Sequence, residues 1–403
     1  MSLILTRSPY FVSREDRDSA STLKLEILNG ANVLKTFNLA FRNNYLLDIS
    51  PLVDDYFDSK EYEWVTTGNG SFYTGGGTYS ALTVRTTLSG DLSTGGKGTD
   101  IVTTYTARRG YLFSTDGYNG NAAVIGGKGV FSLLDDLKNK AGYAGSSNIV
   151  YKLDDSNLRL PTLLPSGISG DLQVNYYSKS NELVRQETNS SISSDSLIVD
   201  YNYSSFKDRV TSDINFLTSG GKIEETKCLL DFLEDFDLND VARIDFLFEV
   251  AGIVYRNEVI VKSISECKYN PYRVTFLNRW GIKEDLWFFK RSDVTLQIEK
   301  ESYRVNSIQS YNASSTIKTY QDYNVNGVEK ITLNSGFVEE EMNEAFKQLL
   351  LSEDVTIYDY KDNKEHTANI STSEFQYKQH INEKLINYTI EFKFAREVIN
   401  NVG

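Results

Sequence analysis

The chain has 403 residues and carries 42 Lys and Arg against 55 Asp and Glu, a formal net charge of −13. With 40% hydrophobic and 24% charged residues it is globular rather than disordered, with enough chain for roughly two to four domains. The acidic balance argues against broad phosphate-backbone binding, so nucleic acid is not an expected partner.

The opening, MSLILTRSPYFVSRED, has an apolar run only from Leu3 to Leu5. That reads as neither signal peptide nor transmembrane helix, and no later window holds 18 apolar residues. Membrane insertion is therefore not expected, and synthesis in a cytoplasm is. Leu23, Leu25 and Ile27 alternate with Lys24 and Glu26, the period of a strand with one buried face, and Asn29-Gly30 follows as a hairpin turn. Further Asn-Gly or Asp-Gly turns are expected at Asn69-Gly70, Asp116-Gly117, Asn119-Gly120 and Asn326-Gly327.

Residues 66–130 depart in composition. They hold 15 of the 27 glycines, together with Tyr73, Tyr79, Tyr105, Tyr111 and Tyr118. This Gly/Tyr-rich segment reads as long loops or an extended insertion in the first β domain. Tyr73, Tyr79, Tyr111 and Tyr118 are its candidate interaction residues, and a solvated loop with glycine turns is the plainer alternative. A short helix is expected over Phe131 to Lys140. Linker-like stretches place boundaries near 145–160 (GYAGSSN), 210–222 (TSGGK) and 324–336 (NVNG and NSG). Residues 227–236, KCLLDFLEDF, fit either helix or strand.

Three later runs alternate cleanly: Ile244, Phe246, Phe248 and Val250; then Val294, Leu296 and Ile298; then Ile386, Tyr388, Ile390, Phe392 and Phe394. Each is expected to put one face on a core and the other in water. Between the first two, Trp280 and Trp287 sit in RVTFLNRWGIKEDLWFFKRS, read as two strands across a turn with a Trp anchoring the core; an exposed aromatic platform is the rival. The best helix runs from about Val338 to Leu351. Val338, Met342, Phe346, Leu349 and Leu350 form its apolar stripe, Glu339 to Glu341 suit its first turn, and Ser335 could cap it.

Chemistry-bearing motifs are scarce. Lys128 in GGKGV has no following Ser or Thr, and Ala122 stands where a phosphate-binding loop needs Gly. There is no G-x-S-x-G and no H-E-x-x-H. The only histidines are His366 and His380, and Cys228 and Cys267 lack metal-site spacing and read as two buried thiols or one disulfide. Asp359, Asp362, Glu365 and His366 gather in DYKDNKEH, where a charged hairpin turn explains the residues better than a metal does. With so many acids, no pair stands out for a two-carboxylate glycosidase. No catalytic, cofactor-binding or metal-ligating residue is expected, and no cofactor.

Three stretches resemble virion proteins of tailed bacteriophages. The first is RSPYFV (Arg7 to Val12) with LKLEI and LLDISPLVDDYF (Leu46 to Phe57). The second is ECKYNPYRVTFLNRWGIKEDLWFFKRS (Glu266 to Ser292), similar to a β-hairpin segment of phage tail structural proteins. The third is LNSGFVEEEMNEAFKQLLLSEDV followed by FQYKQHINEKLINYTIEFKFAREVINNV, similar to the end of tail or baseplate subunits. Together they cover about a quarter of the chain, and the Gly-rich segment departs from the pattern. The resemblance implies a structural, non-enzymatic part of a phage tail, at the baseplate or tail tip, located in the virion. It would form a homo-oligomeric ring with other phage tail proteins as partners. A receptor-binding or fibre adaptor that meets host surface glycan through Tyr-rich loops is the alternative.

The expected fold is mainly β, several β-sandwich-like domains with the long Gly/Tyr-rich insertion and one C-terminal amphipathic helix. The expected divisions are 1–150, 151–218, 219–330 and 331–403. Tyr388, Ile390, Phe392 and Phe394 are candidates for assembly, on the expectation that their strand is a sheet edge open to a neighbouring subunit.

Overall fold

In the computed structural model, the structure describes residues 2–14, 17–41, 46–57, 72–74, 82–113, 140–154, 156, 158–163, 170–192, 197–201, 238–266, 268–305, 320–372, 374, 376 and 385–399. The fold is mainly β. The chain separates into two units, one made of Met1–Ile264 with Leu277–Glu284, the other of Ser265–Phe276 with Asp285–Gly403.

The first unit holds two cores. One is built on a five-stranded sheet with strand order β1-β8-β7-β3-β4. Its strands are β1 (Ser2–Leu5), β3 (Thr22–Asn29), β4 (Asn32–Ala40), β7 (Leu82–Ser89) and β8 (Ile101–Arg108). The pair β2 (Phe11–Ser13) and β5 (Leu46–Asp48) and the short helix α1 (Ser50–Asp54) contribute to the same apolar cluster. Leu23, Leu25 and Ile27 are fully buried there, as their alternation requires. Asn29 pairs with Asn32 across the expected turn, and Gly30 takes the positive φ of 60° that the turn demands. Helix α1 starts with Pro51 in its first turn, and the Asp48 carboxylate accepts from the Ser50 amide and hydroxyl just before it. Five residues are too few for a periodic signal, so it was not expected.

The second core of this unit lies between two sheets. One has the order β12-β11-β14-β15-β9 and the other β10-β13-β6. The former comprises β9 (Ile149–Leu153), β11 (Gly170–Ser178), β12 (Leu183–Ile192), β14 (Val241–Val250) and β15 (Ile253–Ile264). The latter comprises β6 (Phe72–Thr74), β10 (Leu158–Thr162) and β13 (Leu197–Tyr201). Leu158 and Leu160 of β10 join Leu172, Val174, Ile244, Phe246 and Phe248 in one buried cluster, a sandwich-like arrangement.

The second unit is a seven-stranded sheet in the order β17-β16-β20-β21-β22-β19-β18. Its strands are β16 (Tyr272–Leu277) and β17 (Lys283–Phe288), whose ends Leu277 and Lys283–Glu284 fall in the first unit, then β18 (Asp293–Arg304), β19 (Tyr320–Glu339), β20 (Val355–Asp359), β21 (Lys364–Ile370) and β22 (Leu385–Glu397). Helix α2 (Asn343–Leu350) buries Phe346 edge-on to Phe288, with centroids 6.0 Å apart, and against Tyr388 at 4.8 Å.

Several expectations need correction. Residues 66–130 are not only loop, because β7 and β8 are sheet strands and β6 pairs with β13 far along the chain. The expected division at 218/219 cuts one sheet, since β11 pairs with β14. The division at 330/331 falls inside β19. Asn326-Gly327 is not a turn. It lies within β19, where a Cβ on Gly327 would sit 3.0 Å from Leu296 Cδ1, and the glycine relieves that close approach. The helix begins later than Val338, which pairs with Ile386 in the sheet; a 3-10 turn (Glu340–Met342) precedes α2. Ser335 is no helix cap. It lies inside β19, and its Oγ accepts from the Tyr388 amide. The helix at Phe131 to Lys140, residues 227–236, Cys228, Cys267, His380 and the turns at Asn69, Asp116 and Asn119 fall on residues outside the described ones, save Lys140, which lies in a turn.

Candidate interaction surface

Strand β18 is the outer strand of the seven-stranded sheet, and every one of its residues is exposed. Its pairing with β19 sets Val294 opposite Ile331, Leu296 opposite Glu329 and Ile298 opposite Gly327. Directly paired residues share a face. Ile331 is buried, so the three β18 side chains continue the core face of the sheet past its covered part. They are 58%, 52% and 61% exposed. A long, exposed apolar edge strand is a template for another strand, and such edges are normally blunted or covered.

The hairpin extends past its own sheet. Among the described residues β22 pairs with β19 from Val328 to Glu339, and the chain just beyond β22 still bonds Gly327 and Asn326, so Tyr320–Val325 and the facing end of β18 form a two-stranded ribbon. A bulge between Glu299 and Glu301 and the positive φ of Asn324 mark the change in register. Tyr303 and Tyr323 meet edge to face at 5.7 Å, and the Tyr303 hydroxyl donates to Gln321 Oε1 at 2.9 Å. Lys300 lies 3.3 Å from Asp322. Tyr303, Tyr320, Tyr323 and Val325 are all exposed, an aromatic composition suited to an interface.

The residues expected to form the assembly surface sit elsewhere. Tyr388, Ile390, Phe392 and Phe394 lie on β22, which pairs with β19 on one side and β21 on the other. Their strand is not an edge, and all four side chains are buried. Tyr111 is buried too. Its amide donates to the Arg279 carbonyl at 2.8 Å, its ring meets Phe113 at 5.5 Å, and the Arg7 guanidinium lies 5.0 Å from its centroid. Tyr73 lies on β6 opposite Ile198. Tyr79 and Tyr118 fall outside the described residues. Sequence reading found the β18 alternation but placed its apolar face on a core. The alternation itself carries no signal that would have corrected it, because the partners opposite Leu296 and Ile298, Glu329 and Gly327, are set by the long-range register.

Trp280 and Trp287 are buried, as the core reading of that segment expects. The turn between them is organised by Asn278, whose Oδ1 accepts from the amides of Trp280 at 3.0 Å and Ile282 at 3.2 Å. Gly281, at φ 70°, passes so close to the Arg109 backbone that a Cβ would lie 2.8 Å from its carbonyl oxygen. The Glu284 carboxylate is buried beside the same turn. Its Oε1 accepts from Ser146 Oγ at 2.6 Å, and its Oε2 accepts from Asn278 Nδ2 at 3.1 Å. Burial pushes its pKa up, while these donors pull it down.

In DYKDNKEH, Asp359 Oδ1 accepts from Asn270 Nδ2 and from the amides of Lys361 and Asp362, which makes it the organiser of the β20–β21 turn. His366 Nδ1 lies 3.1 Å from Arg396, and its pKa is lowered first by burial and then by that guanidinium. Among the described residues no three His, Cys, Asp or Glu side chains group in a way that could hold a metal ion. No helix among them is long and apolar enough to cross a membrane. No protein-family model matches the chain, and no curated protein shows significant similarity to it.

Proposed function

We propose that the chain is a structural, non-enzymatic component of a phage tail, at the baseplate or tail tip. Copies assemble into a symmetric ring that links the tail tube to hub or fibres. The observation that carries this reading is the exposed apolar edge of β18 with its aromatic ribbon. Isolated in water, Val294, Leu296 and Ile298 are an aggregation hazard, whereas in an assembly they are a ready interface. A contact between two different patches of identical chains closes on itself only under rotational symmetry, which gives a ring. The resemblance of three stretches to phage virion proteins supports the same reading.

The test is the solution mass of the purified chain by light scattering on a sizing column, for the wild type and for the double variant Leu296→Lys/Ile298→Lys. The wild type is expected as a discrete oligomer and the variant as a smaller species with an unchanged circular dichroism spectrum. Exposed substitutions of this kind shift stability by only about 0.5 kcal/mol. Equal masses for the two proteins would remove β18 from the assembly.

A further inference from the structure

Lys152 is a fully buried lysine, the fourth of the five residues of β9, the edge strand that runs parallel to β15. Its Nζ donates to the side-chain oxygen of Asn239 at 2.6 Å and to the Leu153 carbonyl at 3.1 Å. Asn239 lies in the 3-10 turn Leu238–Asp240 that leads straight into β14. β15 lies between the two strands and fixes both ends. Its Ser263 is the register partner of Lys152, and the Ser263 hydroxyl donates to the Asn239 carbonyl at 3.4 Å. An amide carbon is about 1.2 Å from its oxygen, which puts Nζ roughly 3–4 Å from Asn239 Cγ. That overlaps the range of a near-attack arrangement, roughly 3–3.5 Å.

We propose that Lys152 and Asn239 are the two halves of an intramolecular isopeptide cross-link. The neutral amine of Lys152 attacks Asn239 Cγ and forms the new C–N bond. The bond from Cγ to the side-chain nitrogen then breaks, and the proton given up by Nζ leaves with that nitrogen as ammonia. One amide replaces another, so no oxidant, metal or further reactant is needed. Only the neutral amine has the lone pair for attack. The backbone supplies the alignment, because β9 and the turn before β14 are both anchored on β15. The product closes a loop across a separation of 87 residues and locks the edge strand to the sheet. This inference stands apart from the tail reading, and neither result below bears on that reading.

The experiment is intact-mass spectrometry of the full wild-type chain under denaturing conditions, followed by peptide mapping. The expected mass is short of the sequence by one ammonia, and the digest contains a branched peptide joining the Lys152 and Asn239 segments. A succinimide at one of the Asn-Gly pairs loses the same mass but gives no branched peptide and survives Lys152→Met. Lys152→Met and Asn239→Ala should each restore the full mass and lower the melting temperature by roughly 10 °C, as expected on opening a long covalent loop. A folded wild-type chain with no branched peptide would overturn the proposal, and this reading needs no variant to fold.

Discussion

Glu284 and His366 respond to pH in opposite directions, and each has a local cause. Burial dominates at Glu284 and holds its carboxyl above the ordinary glutamate value. The folded chain therefore keeps this proton more tightly than the unfolded chain. The stability it lends is full below the unfolded value and is lost as pH rises through the folded one. Glu284→Gln should thus gain on the wild type as pH is raised from about 4 to about 7, read as the gap between their melting temperatures. Parallel curves would remove Glu284 as a titrating group. His366 is held below its ordinary value by burial, Arg396 and Lys364, against the weaker pull of Asp359 and Glu329. Here the unfolded chain binds the proton more tightly, so stability is lost as pH falls below about 6.5. His366→Gln should flatten that acid limb, and a limb of unchanged slope in the variant would assign it to other groups.

At the scale of elements, α2 shows how little of a short helix is intrinsic. It has eight residues and no side-chain N-cap bond, so its persistence rests on the packing of its apolar stripe. Phe346 carries most of that packing, being buried against Phe288 and Tyr388. Phe346→Ala should cost about 3–5 kcal/mol, measured by urea unfolding. A loss under about 1 kcal/mol would mean that the stripe is not what holds α2. The helix stripe was legible at Met342, Phe346 and Leu349, but its start was not. Val338 fits a helical stripe as well as a strand, and its pairing with Ile386 decides for the strand. The same competition turned Asn326-Gly327 from an apparent hairpin turn into the interior of a twenty-residue strand.

For the whole molecule, the assembly reading depends on which strand is an edge. A chain ending at Asn334 would lose α2, β20, β21 and β22, and so would strip β19 of its inner neighbour. Failure of that truncation to assemble would report only a broken sheet, which is why the β18 lysine substitutions are the sharper test. Composition and period-two alternation already determine a β-rich chain, and they pick out Leu23, Ile244, Phe246, Ile390 and Phe392 as buried, because burying one face of a strand leaves its mark every second residue. Val294, Leu296 and Ile298 carry the same mark and are exposed. Alternation records that a strand has an apolar face, not what covers it or whether a neighbour stands on each side. Those depend on pairings such as β22 with β19 and β21, and on the reach of Lys152 past β15 to Asn239. Both join residues far apart in the chain, and only the folded structure settles them.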